Sequence, residues 1–172
     1  MLRLRPYKRC DASCIASWIL SEQSFYQWSA GRMGSYPFSG ERLTAHYESM
    51  AEEETSWVMV AFDEEGPVGQ LLMRFLTEDK KELRFGFIIV DSSKRGKGYG
   101  KEMLQLALDY AFTLVKVEKV SLGVFANNPA AYHCYRSAGF WELPEREEYR
   151  IAEESWECIM MEQDRNSYMM KK

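Results

Sequence analysis

Apolar and polar residues alternate from Leu2 to Tyr7, the two-residue period of a strand. Asp11 stands where a helix cap belongs, ahead of a helix to Leu20 with Ala12, Ile15, Ala16 and Ile19 on one face. Ser24 to Gly40, rich in aromatic residues, Gly and Ser, keeps no period and reads as a loop or broken helix. Ser39 or Gly40 opens a helix over about Glu41 to Met50. Trp57 to Phe62 and Val68 to Leu76 read as strands joined by the turn-forming run Asp63-Glu64-Glu65-Gly66-Pro67. Leu83 to Asp91 is a further strand, apolar enough at its end to be central and covered on both faces. Leu104, Ala107, Leu108, Ala111 and Val115 recur at helical spacing and predict a long helix from about Tyr99 to Lys116. Lys119 to Phe125 is a strand, and Pro129 and Gly139 bracket a short helix. Two strands follow, near Phe140 to Tyr149 and Trp156 to Glu162, and the tail from Asp164 to Lys172 is expected to fray.

The order is strand, two helices, three strands, helix, strand, helix, two strands. That is a mixed α/β domain with its sheet covered by helices. A chain of 172 residues suits one domain, over 1–163, with 164–172 as a C-terminal tail. A net charge of −4 removes the whole-chain basic footprint expected of a nucleic-acid binder. It suits a protein that handles cationic amines without requiring one. No apolar run approaches the ~20 residues of a membrane span, and the alternating start is unlike a signal peptide, so the expected location is cytoplasmic. Cys10, Cys14, Cys134 and Cys158, with His46 and His133, match no zinc spacing; they read as free thiols, and no metal is expected.

One segment carries chemistry. Arg95-Gly96-Lys97-Gly98-Tyr99-Gly100 lies between an apolar strand and an amphipathic helix. Its glycines let bare backbone N–H groups approach a ligand, the helix adds the positive end of its dipole, and Arg95, Lys97 and Lys101 add charge. Together these suit a pyrophosphate. The segment is not a P-loop, because Arg95 and Glu102 occupy the places of its first Gly and its Ser/Thr. It is not a dinucleotide fingerprint, because the glycines run Gly-x-Gly-x-Gly after a late strand. A helix-capping turn without a ligand is the other reading.

Here the sequence resembles the GNAT superfamily of N-acetyltransferases, whose cofactor loop has the form Gln/Arg-x-x-Gly-x-Gly/Ala. A second segment resembles the same superfamily: Asn128-Pro129-Ala130-Ala131, then Tyr135, then Gly139-Phe140. The resemblance implies a mostly antiparallel central sheet, splayed between its fourth and fifth strands, with helices on both faces. It implies acetyl-CoA as co-substrate and direct acetyl transfer to a primary amine of a small molecule or to a protein or peptide N-terminus. The rival is a non-catalytic acetyl-CoA sensor or partner-binding module on the same fold. A homodimer is common in the superfamily.

The resemblance also implies site roles. Ile88, Ile89 and Val90 pair through their backbones with the pantetheine arm, and the N–H of Val90 or a neighbour polarises the thioester carbonyl next to a bulge. Arg95 through Lys101 hold the pyrophosphate. Asn128 either steadies the cofactor arm or caps the helix behind it. Tyr135 is either the acid for the leaving thiolate or a half-buried core tyrosine. Histone-acetyltransferase-like members carry a glutamate base where this chain has Arg84. Glu82, on the same strand face by period-two geometry, is the first candidate base, followed by Glu22 or solvent alone. Phe25, Trp28, Tyr36 and Phe38 either line the acceptor pocket or pin an irregular loop to the core.

Overall fold

The computed structural model covers residues 1–172. Its strands are β1 (Arg3–Pro6), β2 (Ser56–Asp63), β3 (Gly66–Phe75), β4 (Glu82–Val90), β5 (Lys119–Phe125), β6 (Trp141–Ile151) and β7 (Glu154–Asp164). Its helices are α1 (Ala12–Ser17), α2 (Glu22–Ser29), α3 (Gly40–Met50), α4 (Tyr99–Asp109), α5 (Pro129–Ser137) and α6 (Arg165–Met170). The strands form one sheet in the order β1-β2-β3-β4-β5-β7-β6. Every pairing is antiparallel except β4 with β5.

That parallel pairing sets the site. It runs only over Glu82 to Arg84 against Lys119 to Ser121. Beyond it the two strands diverge, and β5 continues alone with β7 through Phe125. The sheet is therefore split by a wedge that opens toward the glycine loop.

Helices cover both faces. Of the predicted stripe, Leu104, Ala107, Leu108 and Ala111 are fully buried, packing with Leu71, Met73, Leu83, Phe85 and Val120 on one face, while Val115 is partly buried. After Asp109 this helix widens into a π-helical segment, Tyr110–Val115, whose Phe112 is fully buried. On the other face α1, α2 and α3 pack Ile15, Phe25, Trp28 and Leu43 over Val60 and Ile89. Gly40 lets α3 meet α1 closely, since a Cβ there would stand 2.9 Å from the backbone of Ser13.

Four local expectations change. Asp11 does not cap α1 with its side chain. Its carboxylate takes both guanidinium nitrogens of Arg5 at 2.8 Å and the Lys8 N–H at 2.8 Å. Burial opposes that charge, but these bonds outweigh it and hold the carboxyl below its usual range. The aperiodic stretch after Leu20 contains a regular helix, α2, because Ser21 and Ser24 form a reciprocal capping box. The β4 strand is central but buried mainly at alternate positions, since its other face borders the wedge. The tail is helical, not frayed. Asp164 caps α6 by accepting from Ser167 N–H at 2.7 Å, and Tyr168 packs on Phe112 at 5.3 Å and donates to Asp109 at 2.9 Å.

Candidate active site

The wedge holds a cavity of about 600 Å³, walled by the splayed part of β4, by Gly123 and Val124 of β5, and by the starts of α4 and α5. Ile88, Ile89, Val90, Arg95, Gly96, Gly98, Gly100, Lys101, Asn128 and Tyr135 all line it. The two motifs, far apart in sequence, meet here because α4 and α5 pack side by side. Cys134 of α5 lies so close to Gly100 that a Cβ there would stand 2.9 Å from its Sγ.

At the loop, Asp91 accepts from Ser93 N–H at 2.9 Å and shapes a single 3-10 turn, Ser92–Lys94. Gly96 and Gly98 then adopt φ of +75° and +87°. Gly98 is the N-cap of α4 and supplies no side chain, so the first-turn amides have no side-chain partner. Lys94 is committed to Glu65 at 3.0 Å and Asp63 at 3.4 Å. Arg95 and Lys101 line the cavity with no carboxylate within salt-bridge distance. Free amides, a helix N-terminus and two unpaired cations fit a pyrophosphate. Two expected loop residues point elsewhere. Lys97 is exposed and outside the cavity. Tyr99 turns to the core, where its ring stacks beneath Lys94 and its hydroxyl reaches Asp63 at 3.4 Å.

Substituting Gly98 by Ala is expected to weaken acetyl-CoA binding about tenfold, measured by calorimetry. Nothing lies within 4 Å of the added Cβ, so the cost is in the backbone. An L-residue at this φ is strained by roughly 1–2 kcal/mol. Relaxing that strain turns the amides away from the phosphates.

The β4 strand carries the bulge that the resemblance implies, at a position no local signal marks. Gln70 pairs with Ile89 and Leu72 with Gly86, so two steps on β3 face three on β4. The extra residue is Phe87, at φ +46°. It shifts the alternation by one position. Phe87 packs on Trp28 and His46 with Ile89 on the α2–α3 side, whereas Ile88 and Val90 turn toward α4 and its neighbours. The Asp91 N–H donates to Val68 O at 2.7 Å. By alternation, the amides of Val90 and Ile88 therefore face away from β3, into the wedge. Fully buried Gln70 holds the bulge: its amide nitrogen donates to Phe87 O and its oxygen accepts from Tyr47 Oη, both at 2.8 Å.

Tyr135 is 7% exposed, and its ring belongs to the core cluster. Its hydroxyl makes no hydrogen bond within the fold, and burial pushes its pKa well above the usual tyrosine value. Asn128 caps α5, accepting from Ala131 N–H at 3.3 Å, while also lining the cavity.

Glu82 is not at this site. It lies at the closed end of the wedge, 3.9 Å from Lys119, where β4 and β5 are still paired. Glu22 lines neither this cavity nor its neighbour. Of the four expected acceptor-side aromatics, only Trp28 lines the cavity. Phe25 is fully buried, and Tyr36 and Phe38 stack on it at 5.9 and 5.2 Å. They pin α2 and the following loop to the core. Gln27 and His133, which no sequence motif marks, also line the cavity. Gln27 donates to Asn127 O at 3.1 Å, tying α2 to the start of α5 across the opening. No three His, Cys, Asp or Glu side chains are grouped to hold a metal ion. No helix is long and apolar enough to cross a membrane.

The fold is shared with known proteins. The crystal structure of a spermidine N-acetyltransferase from Vibrio cholerae, in complex with CoA and spermine, superposes with a TM-score of 0.81 at 24% identity, covering 98% of both chains. A structure of the same organism's enzyme with manganese ions gives 0.75 at 23% identity, covering 99% of this chain and 96% of that one. In sequence, 55 residues are 40% identical to the spermidine N(1)-acetyltransferase of Vibrio cholerae, 32% of each chain. The match to the Escherichia coli K12 enzyme is 40% over 53 residues, 31% of this chain and 28% of that one. These matches span about a third of the relatives' length. The Acetyltransferase (GNAT) family profile, by contrast, matches residues 19–140, which hold both motifs and the whole wedge. The chain belongs to the GNAT acetyltransferase family.

Proposed function

We propose that this chain is an acetyl-CoA-dependent N-acetyltransferase, moving the acetyl group directly to a primary amine of a small molecule or peptide N-terminus. The observation that carries this reading is the wedge, where a glycine loop with free amides and cations, outward-facing strand amides and a buried tyrosine surround one cavity. Acetyl-CoA lies with its pyrophosphate on the amides of Gly96 to Lys101, beside Arg95 and Lys101. Its pantetheine arm pairs with Ile88 and Val90 in place of the missing β5 partner.

The acceptor ammonium gives one proton to solvent; no carboxylate lines the cavity, and His133 is its one imidazole. The neutral nitrogen attacks the thioester carbonyl, forming the C–N bond. The oxyanion is met by a wedge-facing amide, of which Ile88 is the first after the bulge. As the tetrahedral centre collapses, the C–S bond breaks and Tyr135 protonates the thiolate. The second amine proton returns to the phenolate through water, so the products are amide and CoA thiol.

The test is thiol release from acetyl-CoA across amines and peptides. The relatives' names put spermidine on that panel. Tight acetyl-CoA binding with no turnover of any amine would leave a binding-only sensor instead.

A further inference from the structure

A second, smaller cavity of about 100 Å³ lies on the α1–α3 side of the sheet. It shares Gln27, Trp28, Phe85, Gly86, Phe87 and Gly123 with the first, so the two meet through the wedge at the bulge. It offers an approach to the wedge from the side opposite the glycine loop. Its charged lining is cationic. Arg74 of β3 and Arg84 of β4 share a sheet face, and Arg32 reaches in from the loop after α2. No Asp or Glu lines either cavity.

The three guanidinium groups are also unneutralised. None has a carboxylate within 4 Å. The polar contact of Arg84 is its Nε donating to Ser121 Oγ at 2.9 Å. Burial pushes the Arg84 pKa below its usual value; Glu147 opposes this and Arg74 adds to it. Glu147 itself is exposed on β6, outside the cavity, and accepts from the Tyr149 hydroxyl at 2.8 Å. A half-buried arginine with no salt bridge, lining one cavity with two more, is arranged to receive an anion. A polycation placed there meets three like charges and no acid in the lining, with Glu147 acting only from outside it.

We propose that the acceptor of this enzyme is a small amine carrying an anionic group, a carboxylate or a phosphate, which Arg32, Arg74 and Arg84 hold while its nitrogen enters the wedge at Phe87. The proposal rests on the acetyltransferase reading and names its substrate class. It separates this chain from the polyamine acetylation that its relatives' names carry.

The experiment compares kcat/KM for glycine, β-alanine and phosphoethanolamine with glycinamide, ethanolamine and spermidine, using thiol release. At least one anionic amine should exceed its uncharged counterpart and spermidine by tenfold or more. Carboxylate and phosphate arms tell the two anions apart. Arg84→Gln should cut that preference about tenfold, and Arg32→Gln, an exposed position that does not threaten folding, should cut it severalfold. Acetyl-CoA affinity should hold in both. Spermidine or uncharged amines used best, with the ratio unmoved by either substitution, would overturn the proposal and leave the acetyltransferase standing. Turnover of no amine, with acetyl-CoA still bound, would instead bring down the acetyltransferase reading and this proposal with it.

Discussion

Replacing Tyr135 by Phe should lower kcat by about 100-fold or more, the usual contribution of a positioned general acid, while acetyl-CoA affinity changes only a few-fold. The contrast is sharp because the hydroxyl has no partner within the fold and the ring alone fills the core. Phe keeps the packing, so the melting temperature should hold. The pH profile gives an independent check. A general acid works while protonated, so its contribution is present below its pKa and lost above it. Burial raises this pKa, so kcat should show no loss from Tyr135 at neutral pH or up to the ordinary tyrosine value of about 10. The fall should come only beyond that, and should be missing in the variant. Unchanged turnover in Tyr135→Phe would reduce the residue to core packing.

Much of this frame is legible in the chain itself, for identifiable reasons. The β5 strand and the helix from Pro129 are written in local signals: a short apolar run, a proline at the first turn and a glycine past the end. The cofactor loop is legible because its glycines and cations are contiguous. What is not legible depends on distant partners. Phe87 takes the left-handed φ although Gly86, the residue a bulge would ordinarily choose, sits beside it. The choice is made by Gln70 and Tyr47, from another strand and a helix. Glu82 lies away from the cavity because period-two geometry fixes a face but not a position along the wedge. Arg32, Arg74 and Arg84 come from three separate segments, and only the topology brings them to one cavity. Other misses had signals. Ser21 with Ser24 announces a helix start, and Asp164 with Ser167 another, each obscured by aromatic or methionine-rich residues without a clean stripe.

The bulge gives the second large expected effect. Gln70→Leu should reduce kcat by roughly 10- to 100-fold, the scale of a reacting group misplaced by about 1 Å, with a smaller change in acetyl-CoA affinity. A non-glycine residue at positive φ persists only when its surroundings over-determine it, at a cost of roughly 1–3 kcal/mol. Gln70 supplies that constraint to Phe87, donating to its carbonyl from a fully buried position. Leu fills much of the same volume and donates nothing. It leaves the Phe87 carbonyl and the Tyr47 hydroxyl without partners, costing about 1–3 kcal/mol for each. If the bulge then flattens, every β4 residue beyond it changes face, and Ile88 and Val90 no longer present their amides to the wedge. The pyrophosphate loop, anchored by Asp91 and α4, is not part of that change, so the loss falls on kcat more than on binding. Tyr47→Phe separates positioning from stability. It removes the Tyr47 hydrogen bond to Gln70 but leaves the Gln70 bond to Phe87, so its kcat should fall only a few-fold. Equal losses in the two variants, or a Gln70→Leu enzyme that is unstable yet turns over normally, would mean that this relay stabilises the sheet without positioning the site.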